Sequence, residues 1–340
     1  MTGSGQASPR LRACQGDLAP EHGKAATGRA DAGGLIGIEA VPTATGMSSC
    51  LLCSASLGEP VFPFSTRFEG VVYTYRTCAV CDSSTIDPLP TAAQLSAMYR
   101  QHDYHDEHYA DSGQEVTASH IRELLPALKS GGRLLDFGCG NGHFLRLAAD
   151  LGFVSEGCEL DPHTRQTASR NSGRPVFSLD EIEESKRSYD IIHLGDVLEH
   201  LPDPTSAMRR LEKLLDTDGV FFVEGPLETN RSLVFGAARL FGTTRARLGR
   251  KSEGELPPYH LFQTNAKAQR DFFRKRLNLE VQCYDVWETG WPYLQDAPAS
   301  AGARIKNAIA RAAIATAALV RTAGLRMGNR FAAILAPAPR

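Results

Sequence analysis

Two cysteine pairs are the first residues in this sequence whose type and spacing suggest a specific chemistry. Cys50-Leu-Leu-Cys53 and Cys78-Ala-Val-Cys81 are separated by 24 residues, the spacing of two knuckles that converge four thiolates on one tetrahedral zinc ion. The other four cysteines (Cys14, Cys139, Cys158 and Cys283) are scattered. The N-terminus shows no basic, apolar and small-residue leader, so a metal site is favoured over a disulfide framework. Four protein ligands leave no open coordination position, and the expected Zn2+ is therefore structural.

A second constellation lies in the middle of the chain. In Asp136-Phe-Gly138-Cys-Gly140-Asn-Gly142 an apolar run ends in an acid, and three alternate glycines lead into a helical pattern. Glycine admits unusual dihedrals and lets a ligand approach the backbone closely. Glu159, in Gly157-Cys-Glu159-Leu-Asp161-Pro162, stands 17 residues beyond Gly142 at the end of the next apolar run. A carboxylate there can accept both ribose hydroxyls of an adenosine cofactor. The alternative reading of the glycines alone is a tight turn.

Histidines supply the groups able to move a proton near neutral pH. His200 follows a predicted strand, and His260 sits in Pro257-Pro-Tyr-His-Leu-Phe262. Tyr104, His105, His108 and Tyr109 crowd an aromatic, polar stretch that reads either as a cover over a ligand or as a solvated loop.

These groups need elements to hold them. Val71, Val72, Tyr73 and Tyr75 predict a strand running into Cys78. Thr91 is placed to cap a helix over Ala92–Tyr99, and a further helix is expected over Ala118–Leu128. From Arg133 onward, predicted strands (Leu134–Phe137, Val154–Glu159, Asp190–Leu194, Gly219–Glu224) alternate with predicted helices (Gly142–Leu151, Pro162–Ser169, Pro204–Leu215). That alternation predicts an α/β fold, a parallel sheet with helices on both faces. A helix over Thr264–Leu277, a strand through Leu279, Val281 and Cys283, and a final inner strand over Phe331–Ala336 complete it. The expected organisation is a disordered tail over 1–48, a zinc-ribbon-like module over 49–87, a helical lid or linker over 88–130 and the main domain over 131–340.

Composition narrows the function class. A net charge of -2 over 340 residues gives no reason to expect a nucleic-acid partner. No apolar run approaches the roughly 18 residues that cross a bilayer, and a cytoplasmic enzyme is expected. From Ala297 to Arg340 there are basic residues and no acids. That segment predicts a helix covering a sheet edge, with peripheral membrane contact through 301–326 as the alternative. The oligomeric state is not legible.

The glycine turn, Glu159, the strand Tyr189-Asp-Ile-Ile192 and the following Asp196-Val-Leu-Glu-His-Leu-Pro-Asp-Pro204 together resemble class I S-adenosylmethionine (SAM)-dependent methyltransferases. The two cysteine pairs place the resemblance in a bacterial small-molecule subgroup with an N-terminal zinc-ribbon-like module. It runs from about Cys50 to the end of the chain. It implies a Rossmann-like seven-stranded sheet with Gly138, Gly140 and Gly142 lining SAM and Glu159 on its ribose. Asp136 and Asp196 also fall at cofactor positions, and the adenine contact maps near Leu179 or Asp180. His200 is implied as general base, assisted by His260 and Tyr104. In the similar sugar methyltransferases a Glu-His pair occupies the position of Tyr259-His260, and an Asn occupies that of Asp196. The implied acceptor is a small molecule: a sugar, a polysaccharide precursor or a phenolic or quinone-like hydroxyl. The alternatives are a catalytically idle fold used as a scaffold and methylation of a macromolecule.

Overall fold

The computed structural model describes residues 49–99, 125–126, 128–248, 257–295, 300–323 and 325–338. The expected tail over 1–48, the Tyr104–Tyr109 stretch and most of the helix over Ala118–Leu128 lie outside the described residues.

The N-terminal module is an antiparallel sheet of β1 (Leu57–Phe68), β2 (Val71–Cys78), β3 (Ser84–Asp87) and a late two-residue strand, β9 (Phe262–Gln263), in the order β1-β2-β3-β9. Helix α1 (Ala92–Tyr99) follows, capped by Thr91, whose Oγ1 accepts from the Gln94 N–H at 3.3 Å. Tyr73, Tyr75, Ile86, Met98 and Leu261 form the apolar centre of this module, so the late strand contributes to the core as well as to the sheet.

The main domain has seven strands in the order β10-β11-β8-β7-β4-β5-β6. In chain order they are β4 (Gly132–Phe137), β5 (Phe153–Cys158), β6 (Val176–Phe177), β7 (Tyr189–Gly195), β8 (Leu215–Pro226), β10 (Leu279–Trp287) and β11 (Arg330–Pro337). Strands β4 to β8 pair in parallel, and β11 enters antiparallel between β8 and β10. The expected inner position of the last strand is thus observed. Leu134, Leu135, Ile191, Ile192, Phe221, Phe222 and Val223 are fully buried, as near-continuous apolar runs must be in a sheet covered on both faces.

The helices are α2 (His143–Asp150), α3 (Pro162–Ser172), α4 (Leu179–Glu184), α5 (Pro204–Glu212), α6 (Leu233–Arg247), α7 (Ala266–Asp271) and α8 (Ala301–Thr322). Their starts are chemically marked. Asp161 accepts from the Thr164 N–H at 2.7 Å and precedes Pro162, while Asp203 accepts from the Ser206 N–H at 2.9 Å and precedes Pro204. Two expected helices are shorter than the pattern suggested. The one over Pro204–Leu215 stops at Glu212 because β8 begins at Leu215, and the one over Thr264–Leu277 continues past Asp271 as a π turn (Phe272–Arg276).

Candidate active site

Strand order reverses at β4: β5 and β6 extend to one side, β7 and β8 to the other. Ligands bind at the carboxyl ends of strands at such a switch point, and the conspicuous residues gather there. Gly138, Gly140 and Gly142 all have positive φ (75°, 48° and 78°). A Cβ at Gly138 would lie 2.5 Å from Val197 Cγ2, and one at Gly142 would lie 2.6 Å from the Ala168 carbonyl oxygen. At these two positions both the dihedral and the close approach require glycine. The Gly138 and Cys139 N–H groups donate to the Cys158 carbonyl at 2.7 and 3.1 Å, fastening the turn to β5.

Glu159 meets that turn from the neighbouring strand end. Its carboxylate accepts from the N–H groups of Gly140 (3.1 Å), Leu160 (2.7 Å) and Asp161 (3.4 Å). Burial pushes its carboxyl up, against the downward pull of those bonds. The turn and the acid that the sequence paired are thus joined in one cradle.

The other expected cofactor acids are placed differently. Asp136 is buried beneath the turn, 2.8 Å from His193 Nδ1, with Phe144 stacked on that imidazole at 3.7 Å. It braces the turn from inside. Asp180 lies 87% exposed on α4, 3.8 Å from Arg210, so its side chain turns to solvent, while its neighbour Leu179 is half-buried. Asp196, at φ 54° after β7, receives both Arg330 nitrogens at 2.6 and 2.9 Å. Desolvation pushes its carboxyl up, but the charge and hydrogen bonds of Arg330, with His200 and His260 nearby, hold it below the usual carboxylate range.

The two histidines come together at this edge, with ring centroids 5.0 Å apart at 80°. His200 ends a 3-10 turn (Leu198–His200), and its Nδ1 lies 2.7 Å from the Tyr259 carbonyl. A carbonyl only accepts, so Nδ1 carries the proton and Nε2 is the basic nitrogen. His260 Nδ1 lies 2.9 Å from Glu228 Oε1. Although burial opposes its charge, Glu228, aided by Glu199 and Asp196, raises the His260 pKa to about 9. His260 is therefore an imidazolium at neutral pH. Glu199, buried beside Asp196, is pushed up to about 8 by desolvation and by that neighbour's charge, and is neutral at the same pH. Glu199, His200 and His260 bring ligand-capable atoms within 4.8 Å of one another.

Glu228 is a candidate site residue that sequence reasoning missed. The acid expected beside His260 is not absent: it comes from the loop after β8, 32 residues away, while Tyr259 lends its carbonyl to His200. The available signal was an acid just beyond the carboxyl end of a predicted strand, in Glu224-Gly-Pro-Leu-Glu228. Tyr104 lies outside the described residues.

The cysteines meet as spaced. Cys50 and Cys81 Sγ are 3.6 Å apart, Cys53 and Cys78 Sγ 3.5 Å apart, and all four lie within 4.8 Å of one another. Four thiolates at the usual Zn–S length of about 2.3 Å stand about 3.8 Å from each other, so this donor set fits a tetrahedral ion. The module also grips the histidine strand. The Tyr75 hydroxyl donates to the His260 carbonyl at 2.9 Å, the Ile86 N–H to the Leu261 carbonyl at 3.0 Å, and Asn265 Nδ2 to the Cys81 carbonyl at 3.0 Å.

Sheet order, switch-point crevice and glycine-acid cradle define a Rossmann-like fold shaped to hold an adenosine cofactor. The chain belongs to the methyltransferase-domain family, whose model matches residues 106–280, and is by family a class I SAM-dependent methyltransferase. It is similar to two proteins named ubiquinone biosynthesis O-methyltransferase. The one from Yersinia enterocolitica is 32% identical over 107 residues, covering 28% of this chain and 44% of the relative. The one from Proteus mirabilis is 34% identical over 113 residues, covering 31% and 46%. The chain thus spans less than half the length of these curated relatives. Among solved structures it is similar to a SAM-dependent methyltransferase from Archaeoglobus fulgidus, with a TM-score of 0.41 and 19% identity over 65% of this chain and 93% of that one.

Proposed function

We propose that the protein transfers the methyl group of SAM to a hydroxyl of a small molecule, with a phenolic or quinone-like acceptor favoured over a sugar or polysaccharide precursor. The observation that carries the reading is the His200 tautomer: its Nδ1–H is held by the Tyr259 carbonyl at 2.7 Å, which leaves Nε2, 3.8 Å from Glu199 Oε1, as the basic nitrogen of a histidine that follows β7. The relatives' name supports the phenolic class.

Bound SAM supplies an electrophilic methyl on a cationic sulfur. The backbone of Gly138, Gly140 and Gly142 would hold its amino-acid end, Glu159 its ribose hydroxyls, and Leu179 would flank the adenine. The acceptor oxygen gives its proton to His200 Nε2 as it forms the bond to the methyl carbon. The cationic sulfur of bound SAM would take up the carbon–sulfur electron pair as the methyl departs, and His200 would pass its proton to solvent after product release. The Tyr259 carbonyl keeps His200 in the productive tautomer, and the Glu228–His260 ion pair places a fixed positive charge beside the developing oxyanion. The four cysteines would hold Zn2+ as a structural ion, placing the chain in the zinc-bearing subgroup; metal analysis of purified protein is expected to return one zinc per chain.

The activity test is incubation with SAM carrying a 13C methyl and a panel of phenols, catechols and sugar nucleotides. The expected product is an O-13CH3 resonance on a phenol. Label appearing on nitrogen or carbon, on RNA or on protein would overturn the assignment.

A further inference from the structure

We propose that α6, the turn at 290–295 and α8 form one surface that docks the protein on an anionic lipid bilayer. Among the described residues, twelve large apolar side chains are exposed, and eight of them lie here, on α6 and its C-cap, the turn and α8. Leu240, Phe241 and Leu248 (72, 63 and 67% exposed) stand on α6 and its end, Trp291 on the turn, and Ile305 and Leu319 on α8. Such concentration is not the scatter of single apolar residues that any surface carries. The three segments are one body: Val234 packs with Ala310, Ala313 and Tyr293, and the Phe235 and Trp291 rings meet edge-on at 6.2 Å.

Charge selects the occupant. Neither α6 nor α8 contains an Asp or Glu, although the whole chain carries a net charge of -2. Arg245, Arg247, Arg304, Lys306 and Arg311 are all exposed on these helices. Arg321 is not part of this set, because it turns inward to Asp285 at 2.9 Å. The Arg245 guanidinium lies 5.9 Å from the Phe241 ring centre, and the Lys306 ammonium 5.5 Å from that of Tyr293, so cations border the apolar groups. An apolar stripe edged by arginines, with Trp and Tyr at the margin, matches the acyl–headgroup boundary of an anionic membrane, where long basic side chains reach back to phosphate. No helix among the described residues is long and apolar enough to cross a membrane, so the surface lies on the bilayer rather than spanning it. This inference does not depend on the identity of the acceptor.

The test is flotation of the full chain with vesicles of phosphatidylcholine alone, or with about a third phosphatidylglycerol, at physiological salt. Wild type is expected to float with the anionic vesicles and not with the neutral ones. Arg245→Glu/Arg247→Glu is expected to weaken partitioning by at least about 25-fold, from about fivefold per basic residue. Leu240→Glu/Phe241→Glu is expected to abolish it, with thermal melting and SAM binding unchanged in both variants. Failure of the wild type to float, or unaltered flotation of both variants, would overturn the proposal. A concentration-dependent dimer dissolved by Leu240→Glu/Phe241→Glu in the absence of lipid would overturn it too, by assigning the surface to a second copy of the chain.

Discussion

Replacing Glu228 by Gln tests the electrostatics of the site at a single oxygen. The substitution keeps the size and the hydrogen-bond capacity of the side chain and removes only its charge. Its surroundings raise the His260 pKa from the ordinary 6.5 to about 9. At about 1.36 kcal/mol per unit, its neighbours stabilise the imidazolium by about 3 kcal/mol net of burial. Glu228, at 2.9 Å, is the largest favourable contributor, so without it the pKa is expected to fall well below 9. The sign follows directly. A raised folded-state pKa contributes stability that is fully present below 6.5 and lost as pH rises through about 9, and the His260 cation disappears as pH rises through about 9. Wild-type methyl transfer should therefore decline above about pH 9, and Glu228→Gln should move that limb to lower pH. The assays are the pH profile of kcat and NMR titration of the His260 ring proton. A His260 titration still near 9 in the variant, or an unmoved alkaline limb, would refute the reasoning.

Other expectations follow from the same geometry. Glu159→Ala removes a charged acceptor of ribose and of the Gly140 N–H, so calorimetry should show SAM affinity falling by about 1.5–3 kcal/mol, roughly 10- to 150-fold; unchanged affinity would refute the cradle. Gly138→Ala puts a Cβ 2.5 Å from Val197 Cγ2 at φ 75°, and SAM binding should be lost with about 1–3 kcal/mol of stability, read by denaturant unfolding. Because Glu199 is raised to about 8 by burial and by Asp196, its contribution to stability is present below about 4.5 and lost as pH rises through 8; Glu199→Gln should flatten the fall in melting temperature across that window. Cys78→Ser should release zinc and lower the melting temperature, whereas Tyr75→Phe should keep zinc and lose about 1 kcal/mol with reduced kcat, since only the grip on the His260 carbonyl is gone.

What the sequence disclosed divides by physical cause. The glycine turn, Glu159, the cysteine pairs and the helix behind Thr91 were legible because each is a local pattern whose spacing alone sets its geometry. The inner position of β11 followed from an uninterrupted apolar run. Strand β1 was not anticipated, since Pro60 and Pro63 interrupt Leu57–Phe68 and its pairing with β2 slips register twice. Helix α6 is obscured by its glycines and threonines. The Glu228–His260 pair joins residues 32 apart across two loops, and no periodicity reports such a contact. The C-terminal cations misled in a related way. Arg321, Arg326 and Arg330 stand in a segment without acids in the sequence, yet they turn to Asp285 and the Tyr284 carbonyl on the edge strand β10 and to Asp196 after the inner strand β7, acceptors that only the fold brings near.

The central claim is that a SAM-binding cradle delivers a methyl group to an oxygen deprotonated by His200. Single-turnover methyl transfer by His200→Asn, measured beside SAM calorimetry on the same protein, tests it most directly. The account predicts unchanged SAM affinity with the rate of transfer reduced about 10²- to 10⁴-fold, the usual worth of a positioned general base. Transfer at the wild-type rate, or loss of SAM binding in step with the loss of rate, would contradict it.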